Sequence, residues 1–282
     1  LAEVNEQLGR EYRWRRVLSG GEQTGAHLVT WGDQCAVLKW EPAGWRADQL
    51  LQAFPAVTYA LERGWPAARW LAVGPLAGGG SFVLQEYVDD VSMSVIDTHA
   101  AQAVTSANAA QAGAGLASAR DDSAQLEDVL SGGHPWTRQV SAFTRAGAAL
   151  VRHGQRIAAK VGAAPLPRLD VVHGDYSSSN ILLGSADRPV TFIDCQTIGR
   201  GTRVRDLADL YRQSFVYPDP ANTGARQLRS AALEAEGPQV FAKCAVAVTL
   251  NNLAWWAGNK TAAEFDRACS ALHDLFDDIQ EA

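Results

Sequence analysis

Two carboxylates and a carboxamide stand within one short stretch. Residues 169–194 read L-D-V-V-H-G-D-Y-S-S-S-N-I-L-L-G-S-A-D-R-P-V-T-F-I-D, with Asp175 after His173-Gly174, Asn180 five residues on, and Asp194 at the end. The apolar runs 181–183 and 190–193 are β-prone and flank turn chemistry at 184–189, which predicts a hairpin. Folding back places Asn180, at the entry to one strand, beside Asp194, at the exit of the other, where facing Cα atoms are about 5 Å apart. Asp175 reaches the same point across a loop of serines. Hard oxygen donors with no Cys or His partner suit Mg²⁺, an ion that shares itself with phosphates.

Together with Gly201 and Asp206-Leu207-Ala208 further on, this order and spacing resembles the catalytic core of the aminoglycoside phosphotransferase and choline kinase group. The resemblance implies an α+β, protein-kinase-like fold of two lobes: a small antiparallel-sheet N-lobe and a larger, mainly helical C-lobe. It also implies Asp175 as catalytic base, Asn180 and Asp194 as Mg²⁺ ligands, and Asp206 as a buried anchor under the catalytic loop. One departure is Cys195-Gln196, which follows the metal aspartate where the group often has an aromatic.

The elements that must present a nucleotide to this centre are read from the first 90 residues. A Gly-rich turn containing Ser19, Gly20 and Gly21 separates two β-like runs and can bring backbone N–H groups to phosphates. The same turn looks like the signature of ABC-transporter ATPases, but no GxxxxGK[ST] loop accompanies it. Lys39 lies in a strand in which alternation puts Val37 and Lys39 on one face and Leu38 and Trp40 on the other. By the resemblance, Lys39 binds the α- and β-phosphates. Residues 46–63 predict a helix broken or kinked at Pro55. That helix should carry an acidic partner for Lys39, yet Asp48, Gln52 and Glu62 give no clear choice. Gln85, Glu86 and Val88 resemble the end of the last N-lobe strand and the hinge, with backbone groups of Glu86 and Val88 holding the base. The expected division is therefore 1–88, with a hinge at about 85–90, and 89–282.

Beyond the hinge, residues 91–131 are rich in Ala, Ser, Gln and Gly, which predicts helices and a mobile loop over 113–122 bordering the substrate. Residues 136–161 carry a helical stripe of Leu150, Val151, Gly154, Ile157, Ala158 and Val161. Arg200, Arg203 and Arg205 lie in a loop read as solvated, followed by a helix over 206–216 with Asp209 on its polar side. In a later helix, Asn251 stacks on Trp255 and Asn252 on Trp256 at i, i+4. Asp209, Asn251, Asn252 and Trp255 are the candidate substrate contacts.

The chain has 282 residues and a net charge of −6, which disfavours nucleic acid as a partner and is compatible with a cationic one. No apolar run reaches the ~18 residues of a membrane span, and the four cysteines have no metal spacing, so a cytoplasmic monomer with free thiols is expected. The expected activity is transfer of a phosphoryl group from ATP or GTP, with Mg²⁺, to a hydroxyl of a cationic antibiotic such as an aminoglycoside or a basic cyclic peptide of the capreomycin and viomycin type. Three readings compete with it. They are a metabolic kinase of choline, homoserine or a sugar derivative, a non-catalytic nucleotide-binding module, and a serine hydrolase built on His173, Asp175 and one of the neighbouring serines.

Overall fold

The computed structural model describes residues 1–18 and 25–281, so Ser19, Gly20 and Gly21 of the Gly-rich turn lie outside the described residues. Alternating apolar positions in the first third of the chain build an antiparallel sheet. Its strands are β1 (Arg13–Leu18), β2 (Ala26–Trp31), β3 (Gln34–Glu41), β4 (Trp70–Pro75) and β5 (Ser81–Glu86), in spatial order β1-β2-β3-β5-β4. Helix α1 (Ala2–Leu8) adds Val4 to a small core with Tyr12, Val29, Ala36, Leu38, Phe82 and Leu84. Across β3 and β5, Val37 faces Gln85 and Lys39 faces Val83, so these four side chains share the opposite face.

Helix α2 (Trp45–Glu62) continues through Pro55, so of the two expected outcomes, a break or a kink, the break does not occur. The buried stripe Leu50, Ala53, Ala56, Val57 and Ala60 packs against the body of the protein, and this burial offsets the roughly 3 kcal/mol of an interior proline.

The second lobe is mainly helical. Its helices are α3 (Thr98–Ala109), α4 (Asp122–Ser131), α5 (Pro135–Phe143), α6 (Arg145–Val161), α7 (Val204–Val216), α8 (Ala225–Asn259) and α9 (Ala262–Gln280). The helix expected over 136–161 is two helices, because Thr144 is extended and its side chain caps Gly147 N at the start of α6. The predicted stripe of α6 is buried at Leu150, Val151, Gly154 and Ile157. At Gly154 an added Cβ would lie 2.8 Å from Val246 Cγ1, so the glycine permits the close approach of α8. Helix α8 is kinked at Gly237, whose φ of 80° precedes Pro238.

Short strands complete the lobe: β6 (Val91–Ser92), β7 (Asp170–Val172), β8 (Ile181–Leu183), β9 (Val190–Phe192) and β10 (Gly199–Gly201). They form a β6-β8-β9 sheet and a β7-β10 pair. The segment expected to be a mobile loop at 113–122 is instead tied down on both sides. Gly113 N donates to Asp170 Oδ1 at 2.9 Å, Gly115 N to Leu169 O at 2.9 Å, and Asp122 is 2% exposed.

The sheet lobe and the catalytic hairpin are joined directly. Phe192 N donates to Pro66 O and Ala68 N to Phe192 O, both at 2.8 Å, making a parallel bridge onto β9. At the turn of the same hairpin, Arg188 Nη2 donates to Glu86 Oε1 at 2.8 Å. Among the described residues, no helix is long and apolar enough to cross a membrane.

Candidate active site

The hairpin forms as the sequence predicts, with Ile181 opposite Phe192 and Leu183 opposite Val190. At its open end Ile193 N donates to Asn180 O at 3.0 Å, which sets Asn180 beside the residue preceding Asp194. A single 3₁₀ turn, Ser178–Asn180, delivers Asn180 to the strand. Its Nδ2 donates to Asp175 Oδ2 at 3.0 Å and to Asp175 O at 3.1 Å, leaving Oδ1 without a partner among the described residues. Asp194 has φ 62° and ψ 44°, the only non-glycine positive φ among the described residues. A left-handed aspartate costs on the order of 1–3 kcal/mol and persists only where its surroundings hold it.

Lys39 finds its acidic partner here. Its Nζ lies 3.3 Å from Asp194 Oδ1, with the lysine side chain 17% exposed. Asp48 and Gln52 of α2 are exposed and make no such contact. The acidic partner of Lys39 thus comes from the other lobe rather than from α2.

The loop before Asp175 is held by backbone contacts. Fully buried Asp206 accepts from His173 N at 2.8 Å, Gly174 N at 3.1 Å and Gln111 Nε2 at 2.7 Å. Gly174 has φ +86°, and a Cβ there would lie 2.5 Å from Thr197 O. His173 accepts from Asp175 N at Nδ1, 3.2 Å away, and its Nε2 lies 2.9 Å from Ile193 O. Both ring nitrogens are thus engaged, while Ser177 Oγ and Ser179 Oγ bond each other at 2.9 Å, so the serine-hydrolase arrangement is absent among the described residues. Gln213 grips the serine loop from α7, accepting from Ser178 N and donating to Tyr176 O, each at 3.1 Å.

Arg205, expected in a solvated loop, is 2% exposed. Its guanidinium lies 3.3 Å from Asp122, 3.4 Å from Asp206 and 3.5 Å from Asp209, and donates to Gly174 O at 2.6 Å. Burial alone would lower its pKa, but Asp122, Asp209 and Asp206 more than reverse that and hold it protonated. Burial pushes Asp206 upward, and Arg205, His173 and the hydrogen bonds from His173 N and Gln111 pull it back. Crowding by protein atoms raises Asp175, with Asp209 and Asp194 adding to the rise and His173 and Arg205 opposing it. Water nevertheless reaches the exposed Asp175 side chain, so screening keeps this rise smaller than a dry site would give.

Asp209 is 3% exposed and ion-paired: Arg212 donates to its Oδ1 through Nε at 3.1 Å and Nη2 at 3.0 Å. Asn252 Nδ2 donates to the same oxygen at 3.2 Å, which brings α8 to the site. Asn251 and Trp255 are half-buried on the same helix, and Trp256 rather than Trp255 meets Tyr217, with ring centroids 6.4 Å apart. A surface cavity of about 410 Å³ between Tyr211, Phe215, Pro218 and Arg226 includes none of these site residues.

At the hinge, Gln85 is 4% exposed, the Glu86 carboxylate is taken by Arg188 and lies 3.9 Å from Arg69, and Val88 N carries no backbone hydrogen bond among the described residues. Sequence reasoning missed Gln111, Arg205 and Arg212. Gln111 stands in an Ala-rich segment that offers no signal, whereas the i, i+4 spacing of Arg205 and Asp209 could have been read.

The donors at the open end of the hairpin suit Mg²⁺. Asp194 offers a carboxylate and Asn180 a free amide oxygen, while no cluster of three or more His, Cys, Asp or Glu that could form an all-protein cage exists among the described residues. Few protein oxygens with room for phosphate is the pattern this ion takes.

Residues 13–243 match the model of the phosphotransferase enzyme family, APH. No curated protein matches the sequence. Among solved structures, the chain is similar to a thermostable aminoglycoside phosphotransferase APH(4)-Ia in a ternary complex with ADP and hygromycin B, with TM-score 0.72 and 16% identity over 99% of this chain and 96% of that one. It is also similar to a microcompartment-associated aminopropanol kinase, with TM-score 0.68 and 16% identity over 99% and 96%. A putative fructosamine-3-kinase from Haemophilus somnus gives TM-score 0.64 and 14% identity over 99% and 95%. These likenesses establish the protein-kinase-like, two-lobe α+β fold.

Proposed function

The chain belongs to the phosphotransferase enzyme family, and we propose on that footing that it moves the γ-phosphoryl group of ATP or GTP to a hydroxyl of a cationic antibiotic. The acceptor would be an aminoglycoside or a basic cyclic peptide of the capreomycin and viomycin type. The observation that carries the phosphotransfer reading is the bond from Asn180 Nδ2 to Asp175 Oδ2 at 3.0 Å, which joins the proposed base to the proposed metal ligand. In this reading Asp175 orients the acceptor hydroxyl and takes its proton as the phosphoryl group leaves the nucleotide. Lys39 holds the α- and β-phosphates, and Asn180 and Asp194 hold Mg²⁺. When bound, the ion neutralises phosphate charge. Phosphoryl transfer proceeds through a loose transition state, so positioning matters more than the strength of the base.

The net charge of −6 supports a cationic acceptor, with Asn251, Asn252 and Trp255 as its proposed contacts. A second reading, a metabolic kinase of a small alcohol or sugar derivative, is favoured by the pairing of Asp209 with Arg205 and Arg212. That pairing leaves the carboxylate no free charge for an ammonium group.

The test is a transfer screen with γ-labelled ATP and GTP over aminoglycosides, capreomycin, viomycin, choline, homoserine and ketosamines. Label on a basic antibiotic is the expected result. Label confined to the small alcohols or sugar derivatives supports the second reading, and tight nucleotide binding with no transfer to any acceptor would make the protein a binding module.

A further inference from the structure

Asp122 and the two arginines beside it close a ring of contacts beneath the loops that carry Asp175 and Asp194. Arg205 Nη2 donates to Gly174 O at 2.6 Å, in the peptide just before Asp175. Arg205 Nε lies 3.3 Å from Asp122 Oδ2, and Asp122 Oδ1 accepts from Arg120 Nη2 at 2.9 Å. The same Arg120 nitrogen donates to Thr197 O at 2.6 Å, and Thr197 Oγ1 donates to His173 O at 2.9 Å, which returns the ring to within one residue of its start. A terminal guanidinium nitrogen carries two hydrogens, so Arg120 Nη2 serves both oxygens with one each.

The ring lands on a turn whose shape needs holding. Asp194, in its left-handed conformation, opens the 3₁₀ turn Cys195–Thr197, and such a residue keeps its backbone only where neighbours enforce it. The front of the turn is fixed by Ile193 N on Asn180 O, and its end by Arg120 on Thr197 O. Gln125 Oε1 holds Nη1 of the same arginine, and Arg200 N donates to its carbonyl at 2.8 Å, so the planar fork stands in one orientation. Asp122 and Arg205 are each 2% exposed, whereas the Arg120 side chain is 34% exposed. Arg120 is therefore the charged member of the ring that can be changed without opening the core.

We propose that Arg120 is a positioning residue for phosphoryl transfer: by closing this ring it sets the Asp194 turn at a fixed distance from the Asp175 loop. This rests on the phosphotransfer reading, in which Asp194 holds Mg²⁺ and Asp175 meets the acceptor hydroxyl. Arg120 acts through the backbone carbonyl of Thr197, three residues beyond Asp194. Groups that orient a metal ligand tune the affinity for the ion, and a small displacement of a reacting group costs much of the rate. None of the ring's bonds reaches the N-lobe sheet, so nucleotide binding without metal should not depend on it.

The experiment is calorimetric titration of the full chain with ADP, with and without Mg²⁺, in wild type, Arg120→Met, Thr197→Val, Thr197→Ser and Arg168→Met. Thr197→Val keeps the shape and loses the bond to His173 O, and Thr197→Ser keeps the hydroxyl. Arg168 pairs with Asp121 at 3.3 Å and Glu127 at 2.5 Å, supporting the same segment without joining the ring. Wild type is expected to bind ADP more tightly with Mg²⁺. Arg120→Met and Thr197→Val are each expected to lose at least about fivefold of that gain, with metal-free affinity within about twofold of wild type. Thr197→Ser and Arg168→Met are expected to keep the gain within about twofold. Where the screen yields an acceptor, kcat at saturating Mg²⁺ and nucleotide should fall at least about tenfold in Arg120→Met and Thr197→Val, and unchanged kcat overturns the proposal. A smaller loss of the Mg²⁺ gain in either variant also overturns it, as does an equal loss in Arg168→Met. Should Arg120→Met not fold, the two Thr197 variants decide alone. A wild type with no gain from Mg²⁺ fails the metal reading of Asp194 and the proposal with it, whereas a wild-type gain that the variants keep fails the proposal alone.

Discussion

Lys39 Nζ and Asp194 Oδ1 stand 3.3 Å apart, one on the N-lobe sheet and the other at the end of the catalytic hairpin. The pair spans the two lobes, so it ties a proposed phosphate ligand to a proposed metal ligand. Lys39→Ala should raise KM for the nucleotide at least tenfold, with a smaller loss in kcat, and steady-state kinetics with varied ATP and GTP will show it. Unchanged KM would remove Lys39 from the phosphate site.

Asp175→Ala and Asp194→Ala should each abolish measurable transfer while keeping the wild-type circular dichroism spectrum. Asp175 is exposed and Asp194 only partly buried, so neither truncation opens a core. Near-normal turnover in either purified variant would overturn the mechanism.

Removing Arg205 leaves Asp122, Asp206 and Asp209 facing one another without their shared cation. Arg205→Met should cost about 3–5 kcal/mol in urea unfolding, the usual penalty for breaking a buried charge network. A loss under 1 kcal/mol would mean that water replaces the guanidinium.

Gly174→Ala should lower both stability and activity. The Cβ would meet Thr197 O at 2.5 Å in a backbone of φ +86°, and the displaced residue is next to Asp175. Loss of about 1–3 kcal/mol is expected, together with a fall in kcat. Wild-type melting and kinetics would show that the loop relaxes freely.

His153 on α6 lies against His273 at 3.2 Å and Gln280 at 2.9 Å, with Asp277 at 3.7 Å. Burial lowers its pKa from 6.5, helped by His273, Arg156 and Lys160 and opposed by Asp277. Below the unfolded value of about 6.5 the unfolded chain binds a proton that the folded chain refuses, so stability falls as pH drops through that value. His153→Leu should flatten the urea midpoint between pH 7 and pH 5.5 relative to wild type. An equally steep slope in the variant would assign the pH dependence to other groups.

The hairpin was legible because strand period, turn residues and two acids coincide in one stretch, and the shared face of Val37 and Lys39 followed from alternation alone. The rest was hidden for physical reasons. Gln111 acts on Asp206 from 95 residues away, and no local pattern records such a contact. Arg205 looks like a surface residue by type, and only the three carboxylates gathered around it make burial tolerable. Thr144 divides α5 from α6 through one capping hydroxyl inside an otherwise continuous helical stripe. Pro55 shows the converse, a strong local stop signal overruled by packing.

The stitching of 66–68 onto β9 joins one edge of the sheet lobe to the catalytic hairpin. Because Phe192 is bonded on both its N–H and its carbonyl, that edge acts as the spine of a book. Amide exchange at Phe192 and Ala68 should therefore stay slow even if the Lys39–Asp194 pair across the cleft is broken by mutation.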